Sequence, residues 1–485
     1  MERTTFNSLL AILMLGSSLS YAQIATDDQK DLYVQESADD YSQIQRITKP
    51  LSLNVVIEQG MRKNFAENIR RKNINILDNN LKDTKESFYL PNVQLSLQTS
   101  KQRLATLKDG TRDGGKTAKT PTGSLGLELG DYTVYNWGKD YLSYLNSKET
   151  IERNIDKAKE ESRDFRQNLI LTYTNLLYLK EITRIKKEQL RNASFIYRLN
   201  REKVTLKKVT KHDYYQARSE YLRAQQEYFT AKLDYEKIQE EIAALIDDPP
   251  GTKYTVRQDF GYTKIKMTKK AALSLAYKNA PHIKDAKLTS NVRVREYEVA
   301  LRDNMPLPKL SVNLGTYKHN FAPKESQTLY ETETNSNNIE LVATVNATWT
   351  IFGDGGLFNK RKLANARLQK ETANWNYNSM RRSVENYVIN IFKQFENSHD
   401  QIKIYSARVP SLKKRMDLAL NRYLEKRGRY NDFHLALVER YETEIENVKL
   451  KYNYFLAKVQ LAQVIGVEEL PGESFEDIIV REGTK

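Results

Sequence analysis

Apolar and polar residues alternate one for one in four short stretches of this chain. Elsewhere the apolar positions recur at helical spacing. In the last of the four stretches Ile339, Leu341, Ala343, Val345, Ala347, Trp349 and Ile351 fall on one side, and Glu340, Thr344, Asn346, Thr348 and Thr350 on the other. Val93, Leu95 and Leu97 oppose Asn92, Gln94, Ser96 and Gln98; Leu125, Leu127 and Leu129 oppose Gly126, Glu128 and Gly130; Leu310, Val312 and Leu314 oppose Ser311, Asn313 and Gly315. A period of two is that of a strand, so strands are predicted over residues 91–105, 120–137, 308–320 and 339–352.

The helical stretches are long. Between Lys139 and Asp248 there is neither Gly nor Pro. With a turn near residues 204–210, the first helix of this run covers about 65 residues, or about 100 Å at ~1.5 Å rise each. The returning helix has a seam of Ala217, Tyr221, Ala224, Tyr228, Ala231, Tyr235, Ile238, Ile242 and Leu245. Its steps alternate between four and three, the period of a coiled coil. A second seam runs through Val438, Tyr441, Ile445, Val448, Tyr452, Phe455 and Val459. These stripes predict packing and carry no chemistry.

Strands and helices recur in the same order. Leu90-Pro91-Asn92-Val93-Gln94-Leu95-Ser96-Leu97 matches Leu307-Pro308-Lys309-Leu310-Ser311-Val312-Asn313-Leu314. Asn136-Trp137-Gly138 matches Ile351-Phe352-Gly353, Asp213-Tyr214-Tyr215-Gln216-Ala217 matches Asp432-Phe433-His434-Leu435-Ala436, and Leu245-Ile246-Asp247 matches Val464-Ile465-Gly466. The offsets stay nearly constant, so two copies of one unit follow each other. The first copy is expected at 51–250: a helix near 53–86, a strand hairpin at 91–137, a long helix at 138–203 and a return helix at 211–247. The second is expected at 251–485: a helix near 268–303, a hairpin at 308–352, a long helix at 356–424, a return helix at 431–466 and a C-terminal tail, read as loop from Pro471 onward. Residues 23–50 read as a polar extension, residues 247–266 with Pro249-Pro250-Gly251 as a link, and 100–121 and 318–338 as exposed hairpin tips.

Strands with one apolar and one polar face suit either a half-buried sheet or a barrel with lipid outside and water inside. The N-terminus favours the barrel. Residues 1–22 read as a secretory signal peptide, with Arg3 at the positive end, an apolar run from Leu9 to Leu15 and small residues at Ser20 and Ala22. A mean hydropathy of −0.68 and 29% charged residues leave no stretch apolar enough for a membrane-spanning helix, so a membrane crossing must be made by strands. Four strands do not close a barrel. Open edges in lipid are costly, so the chain is expected to supply its strands to an oligomer.

Charge and candidate chemistry narrow the function further. The net charge is +15, and removing residues 1–22 takes away one acid and one base. After export a nucleic-acid partner is not expected; acidic lipid headgroups or an anionic cargo fit the charge better. Cysteine is absent, which excludes disulfides, thiolate chemistry and an N-terminal lipid on cysteine. None of His212, His282, His319, His399 and His434 has metal-ligand spacing, and His212 and His434 read as exposed turn residues. No phosphate-binding glycine motif occurs. No metal, cofactor or catalytic centre is expected, and the chain does not read as an enzyme.

The tandem repeat, the Leu-Pro pair opening each first strand, Trp137-Gly138 and Phe352-Gly353-Asp354-Gly355-Gly356 at the strand-to-helix junctions, and the late series Tyr423, Gly428, Asp432, Ala436 together resemble the TolC-like outer-membrane efflux proteins. The resemblance covers essentially the whole mature length. It implies a mixed α and β membrane protein: a homotrimer whose four strands per chain make a twelve-stranded transmembrane β-barrel, continued by a long periplasmic α-helical barrel. It implies an outer-membrane location, with a periplasmic adaptor and an inner-membrane transporter as partners. The function implied is the exit duct of a tripartite efflux pump or type I secretion system. A structural or adhesive periplasmic coiled-coil protein is the alternative reading.

The resemblance also implies a gate at the periplasmic end, near the helical turns. Matching positions are Asp213 in the first copy, and Tyr423 and Asp432 in the second. The family's gate arginine falls on Gly428, flanked by Arg427 and Arg429, and the second aspartate of its constriction falls on Leu435. Asp213 has another reading, because Thr210-Lys211-His212-Asp213 is a capping box that would open the return helix. The turns Val204–Lys211 and Glu425–Tyr430 are where an adaptor would dock, with Lys207, Lys208, Lys426 and Gly428 presented there; Lys207 and Lys426 replace the glycine usual in the family.

Overall fold

Uninterrupted runs of helix formers, with few glycines and prolines, give this chain two helices of unusual length. The structure, a computed structural model, describes residues 48–99, 106–108, 111–113, 123–206, 209–320, 340–351, 359–425, 427–475 and 479–481. The signal peptide 1–22, residues 23–47 of the extension, most of both hairpin tips, the motif at 352–356, and Lys207, Lys208 and Lys426 lie outside them. Residues from Thr48 onward form one compact unit.

The elements of the first half are β1 (Thr48–Pro50), α1 (Leu53–Lys63), α2 (Phe65–Tyr89), β2 (Val93–Thr99), β3 (Thr106–Lys108), β4 (Thr111–Asp113), β5 (Gly123–Tyr135), α3 (Lys139–Thr205) and α4 (Lys211–Leu245). Those of the second half are β6 (Lys253–Thr255), β7 (Gln258–Phe260), α5 (Lys269–Asn279), α6 (Pro281–Asp303), β8 (Lys309–Asn320), β9 (Glu340–Thr348), α7 (Lys360–Leu424), α8 (Tyr430–Ile465) and β10 (Ile479–Arg481).

Several elements differ from expectation. The helix expected near 53–86 is two helices. Asn64 leaves the helical region with ψ 129°, and its side chain caps α2 by accepting from the N–H groups of Ala66 and Glu67. The helix expected near 268–303 breaks likewise at Ala280, because Pro281 disfavours a helical residue before it and then opens α6. The tip at 100–121 contains the short pair β3–β4, whose strands flank Asp109-Gly110, a dipeptide favoured in tight hairpins. The link 247–266 holds β6, parallel to β1, and β7, antiparallel to β10. The C-terminal tail, expected as loop, therefore ends in a strand whose partner is distant in sequence.

The four long strands form one antiparallel sheet in the order β2-β5-β8-β9. Register sets Leu95 against Leu127 and Val312 against Val345, so equivalent faces align across the sheet. The β5–β8 pairing shifts register at three places. Among the described residues β2 and β9 are the edges of this sheet. Apolar side chains of the sheet are uncovered: Leu95 is 71% exposed and Val345 73%.

At the junction of β5 with α3 the backbone turns sharply from strand to helix. Gly138 caps α3 with φ +74°, a conformation suited to glycine, and Trp137 before it also has φ +53°. The indole Nε1–H of Trp137 donates to the Pro308 carbonyl at 3.0 Å, and its ring meets Tyr135 edge-on at 5.1 Å. These contacts hold an otherwise unfavourable turn.

Near the strands α3 packs against α2 and α6, and α6 against α7; towards the helical turns α3 packs against α4 and α8, and α8 against α7. Half-way along, α1 and α5 close over a core of Leu169, Tyr173, Ile242, Phe395, Phe455 and Val459. Smaller residues pack closely on the return helices: Ala217, Ala224 and Ala231 are buried, while Tyr197 stacks on Tyr221 at 5.3 Å and Tyr178 on Tyr452 at 4.7 Å. A second core of Ile185, Ile196, Met416, Tyr423, Phe433 and Tyr441 lies towards the turns. No helix among the described residues is long and apolar enough to cross a membrane.

Candidate functional site

The turn between α3 and α4 and the turn between α7 and α8 come together around a cleft of about 650 Å³. Asp213, Tyr423, Gly428 and Arg429 line it, together with Lys203 and Tyr430. Four of the positions expected near a gate thus share one space. Arg427 and Asp432 do not line it. Arg427 is exposed and pairs with Glu425 at 3.7 Å, and Asp432 is exposed in the first turn of α8.

Tyr423 is central to the cleft. Its ring is buried against Tyr430 at 5.9 Å and Phe433 at 6.4 Å, with the Lys203 ammonium 4.7 Å from its face. Its hydroxyl donates a short hydrogen bond to Oδ1 of Asn200. This bond links the end of α7 to the end of α3, and therefore one helical hairpin to the other. Asn200 is fully buried, and its Nδ2 has no partner among the described residues. Burial pushes the Tyr423 hydroxyl above the ordinary tyrosine value; the Asn200 bond opposes that and the charge of Asp213 adds to it. Burial, then the charge of Glu220, moves Tyr430 the same way. Both phenols stay neutral near pH 7, so they act here as donors and packing groups.

Asp213 serves the local helix through its backbone. Its N–H donates to the Thr210 hydroxyl at 3.1 Å, the first half of the expected capping box. The second copy lacks this cap: Arg429 precedes α8 and makes no side-chain bond to its first turn. That turn is closed instead by the N–H groups of Arg427 and Gly428, which both donate to the Arg422 carbonyl at 2.9 and 3.0 Å. A Cβ at position 428 would sit 3.1 Å from the Arg422 Cβ and 3.3 Å from the Tyr423 nitrogen. This crowding is a physical reason for glycine where the family resemblance places an arginine.

His434, expected as an exposed turn residue, is half-buried. Its ring stacks on Tyr430 at 6.0 Å, with Nε2 3.6 Å from Glu220. His212 is exposed and lines the same cleft. Leu435 is exposed.

Above the cleft lies a polar network that local sequence does not reveal. Arg440 of α8 donates to Glu188 of α3 at 2.6 Å and lies over the Tyr441 ring at 4.7 Å; Asn192 donates to the Tyr441 hydroxyl at 2.6 Å. Arg184 reaches Glu444 at 3.0 Å and Glu188 at 3.3 Å. Burial pushes the Glu188 carboxyl up, but the hydrogen bond and charge of Arg440 outweigh it and hold it below the usual carboxylate range. Asn200 and Arg440 interrupt no pattern that marks them, since isolated polar residues are common on long charged helices. Only the packing of α3 against α7 gives Asn200 its partner Tyr423, and only the crossing of α3 with α8 gives Arg440 its partner Glu188. No group of residues suited to hold a metal ion occurs among the described residues.

The sequence profile of one family, described as outer membrane efflux protein, matches residues 83–247 and 272–467. No curated protein sequence matches the chain. Among solved structures the fold is similar to the CmeC outer membrane channel of Campylobacter jejuni: 20% identity, TM-score 0.68, and 88% of each chain covered. It is also similar to the outer membrane protein VceC of Vibrio cholerae, with 14% identity, TM-score 0.67, and coverage of 86% of this chain and 96% of that one. The open state of the MtrE outer membrane channel of Neisseria gonorrhoeae aligns with 16% identity, TM-score 0.67, and coverage of 86% and 89%.

Proposed function

The chain belongs to the outer membrane efflux protein family, whose members are channels and not enzymes, and from that premise we propose that it is the outer-membrane exit duct of a tripartite efflux pump or type I secretion system. The observation that carries this reading is the direct junction of a four-stranded sheet, open at β2 and β9, to helices of about 100 Å. Uncovered apolar side chains on that sheet suit lipid, and open edges in lipid require partners. Three copies would supply twelve strands and leave no edge.

The helices support the same assembly. Towards the turns the helices lie in the order α4, α3, α8, α7, so α4 and α7 are the outer members. Both carry exposed apolar residues: Tyr215, Leu222 and Phe229 on α4, and Leu368, Ile404 and Leu418 on α7. Two different complementary edges make a head-to-tail contact, which closes into a ring. In this reading the strands at 91–105, 120–137, 308–320 and 339–352 cross the membrane, and the two unit copies at 51–250 and 251–485 contribute one hairpin each. A periplasmic adaptor docks on the turns, with Lys207, Lys208, Lys426 and Gly428 presented to it, and the pump lies in the inner membrane. The cleft between the turns is the gate. Tyr423 holds the hairpins together there, while Asp213, Arg427, Arg429 and Asp432 supply charge around the opening.

Detergent extraction of outer membranes tests this. The expected product is a heat-labile trimer that forms channels in planar lipid bilayers. A water-soluble, non-conducting rod would end the reading and support a periplasmic stalk instead.

A further inference from the structure

Where strands give way to helices, a recess of about 240 Å³ lies between the ends of β5, α6 and β9 and the starts of α3, β8 and α7. Three ammonium groups and one carboxylate line it: Lys139, Lys309, Lys362 and Asp303. Asp303 takes Lys139 at 3.1 Å and Lys362 at 3.4 Å, whereas Lys309 is exposed and makes no ion pair among the described residues. Among the described residues the lining therefore carries an excess of positive charge. Two neighbours outside the lining, Asp140 and Arg302, are of opposite sign. The long helices α3 and α7 both begin at the recess, so the positive ends of their dipoles add to its preference for an anion.

Asn136 closes the wall of the recess: it donates through Nδ2 to Asp140 at 2.9 Å, and its Oδ1 is sealed from water. On one side the recess is bounded by Trp349, which shares its strand parity with the exposed Val345 and Ile351. A ligand anchored here would have an anion among the lysines and an apolar body running along β9.

We propose that this recess binds the headgroup of an anionic phospholipid, with the phosphodiester among Lys139, Lys309 and Lys362. The inference rests on the reading of the sheet as membrane-spanning, which sets the recess at the lipid–water boundary on the helix side. Tyr135 and Trp137 meet at the end of β5 and Trp349 follows the end of β9, as aromatic residues do at membrane interfaces. A bound lipid would neutralise the lysine excess where the two long helices start.

Native mass spectrometry of the detergent-extracted protein, given equal amounts of dioleoyl phosphatidylglycerol and dioleoyl phosphatidylethanolamine, tests the site without any substitution. Preferential retention of phosphatidylglycerol is expected. Lys309→Gln and Lys362→Gln should each reduce it about fivefold, the worth of one interfacial lysine. Inorganic phosphate should not displace the lipid; if it does, the site takes free phosphate and the lipid assignment is wrong. Equal retention of the two lipids by a membrane-extracted protein, or a preference that survives both lysine changes, overturns the headgroup site alone. A protein recovered in the water-soluble fraction overturns the membrane reading and this site with it.

Discussion

Replacing Tyr423 with Phe removes one oxygen atom from the cleft between the helical turns and should loosen the closed state of the channel. The hydroxyl donates to Asn200, which is 0% exposed and whose Nδ2 already lacks a partner. Its loss leaves the whole Asn200 side-chain amide buried without a hydrogen bond, at a cost of about 1–3 kcal/mol. The ring should stay in place, since Tyr430 and Phe433 still pack against it. If opening separates the α7–α8 hairpin from the α3–α4 hairpin, it breaks this bond in any case. The substitution then raises the energy of the closed form but not of the open one, and shifts the balance towards opening by about 5–150-fold. Planar-bilayer recording should show larger or longer conducting events, with the assembly still intact on native gels. Asp213→Ala, which keeps the backbone bond to Thr210, should add to the effect by removing charge at the cleft. Thr210→Ala should instead weaken the start of α4 by about 0.5–2 kcal/mol with no change in conductance. Unchanged opening in Tyr423→Phe, alongside a lowered melting temperature, would refute the reasoning and leave Tyr423 as a packing residue.

Other outcomes follow from separate parts of the molecule. Gly466→Ala should lower the melting temperature steeply, by at least ~2 kcal/mol in stability, because φ is +82° there and a Cβ would lie 2.3 Å from the Asn279 carbonyl oxygen; a normal melt would show that α5 moves freely against α8. Lys458→Met should cost about 3–5 kcal/mol, since it strands the buried Glu473 that Lys458 holds at 2.6 Å; Lys458→Met with Glu473→Leu should recover much of it by calorimetry. The Glu188–Arg440 link depends on pH with a defined sign. A carboxyl held below its ordinary value of about 4.3 stabilises the fold above that pH, and the contribution fades as pH falls through its lower folded-state value. The melting gap between the parent and Glu188→Gln should therefore be constant from pH 8 to about 5 and close in stronger acid. Val345→Arg should destabilise the membrane-inserted form by about 2–4 kcal/mol while Thr344→Arg is tolerated; equal effects would contradict the assigned lipid face.

Local sequence pattern alone determined the element types and their order. The strands at Val93–Thr99 and Glu340–Thr348 were legible from their alternation of apolar and polar residues, the helices at Lys211–Leu245 and Tyr430–Ile465 from their apolar seams, and the helix at Lys139–Thr205 from its lack of glycine and proline. The turns near residues 204–210 and 425–430 were legible for the same reason, since the apolar seams stop there and polar residues take over. Breaks within an element were harder to read. Asn64 became a cap because its side chain reaches the next two N–H groups, and nothing in the surrounding run of polar residues demands that. The partners across elements were not legible at all. Tyr423 was singled out, but its hydroxyl goes to Asn200, 223 residues away, and not to Asp213 or an arginine beside the turn. Arg440 finds Glu188 at a separation of 252 residues, and Lys458 and Glu473 meet against Thr263 and Lys266 of the link between the two copies. A residue's period is imposed by which face of its own element is covered, so sequence carries it. A buried polar pair is imposed by which two helices cross and at what height, and that is decided only when the whole chain has packed.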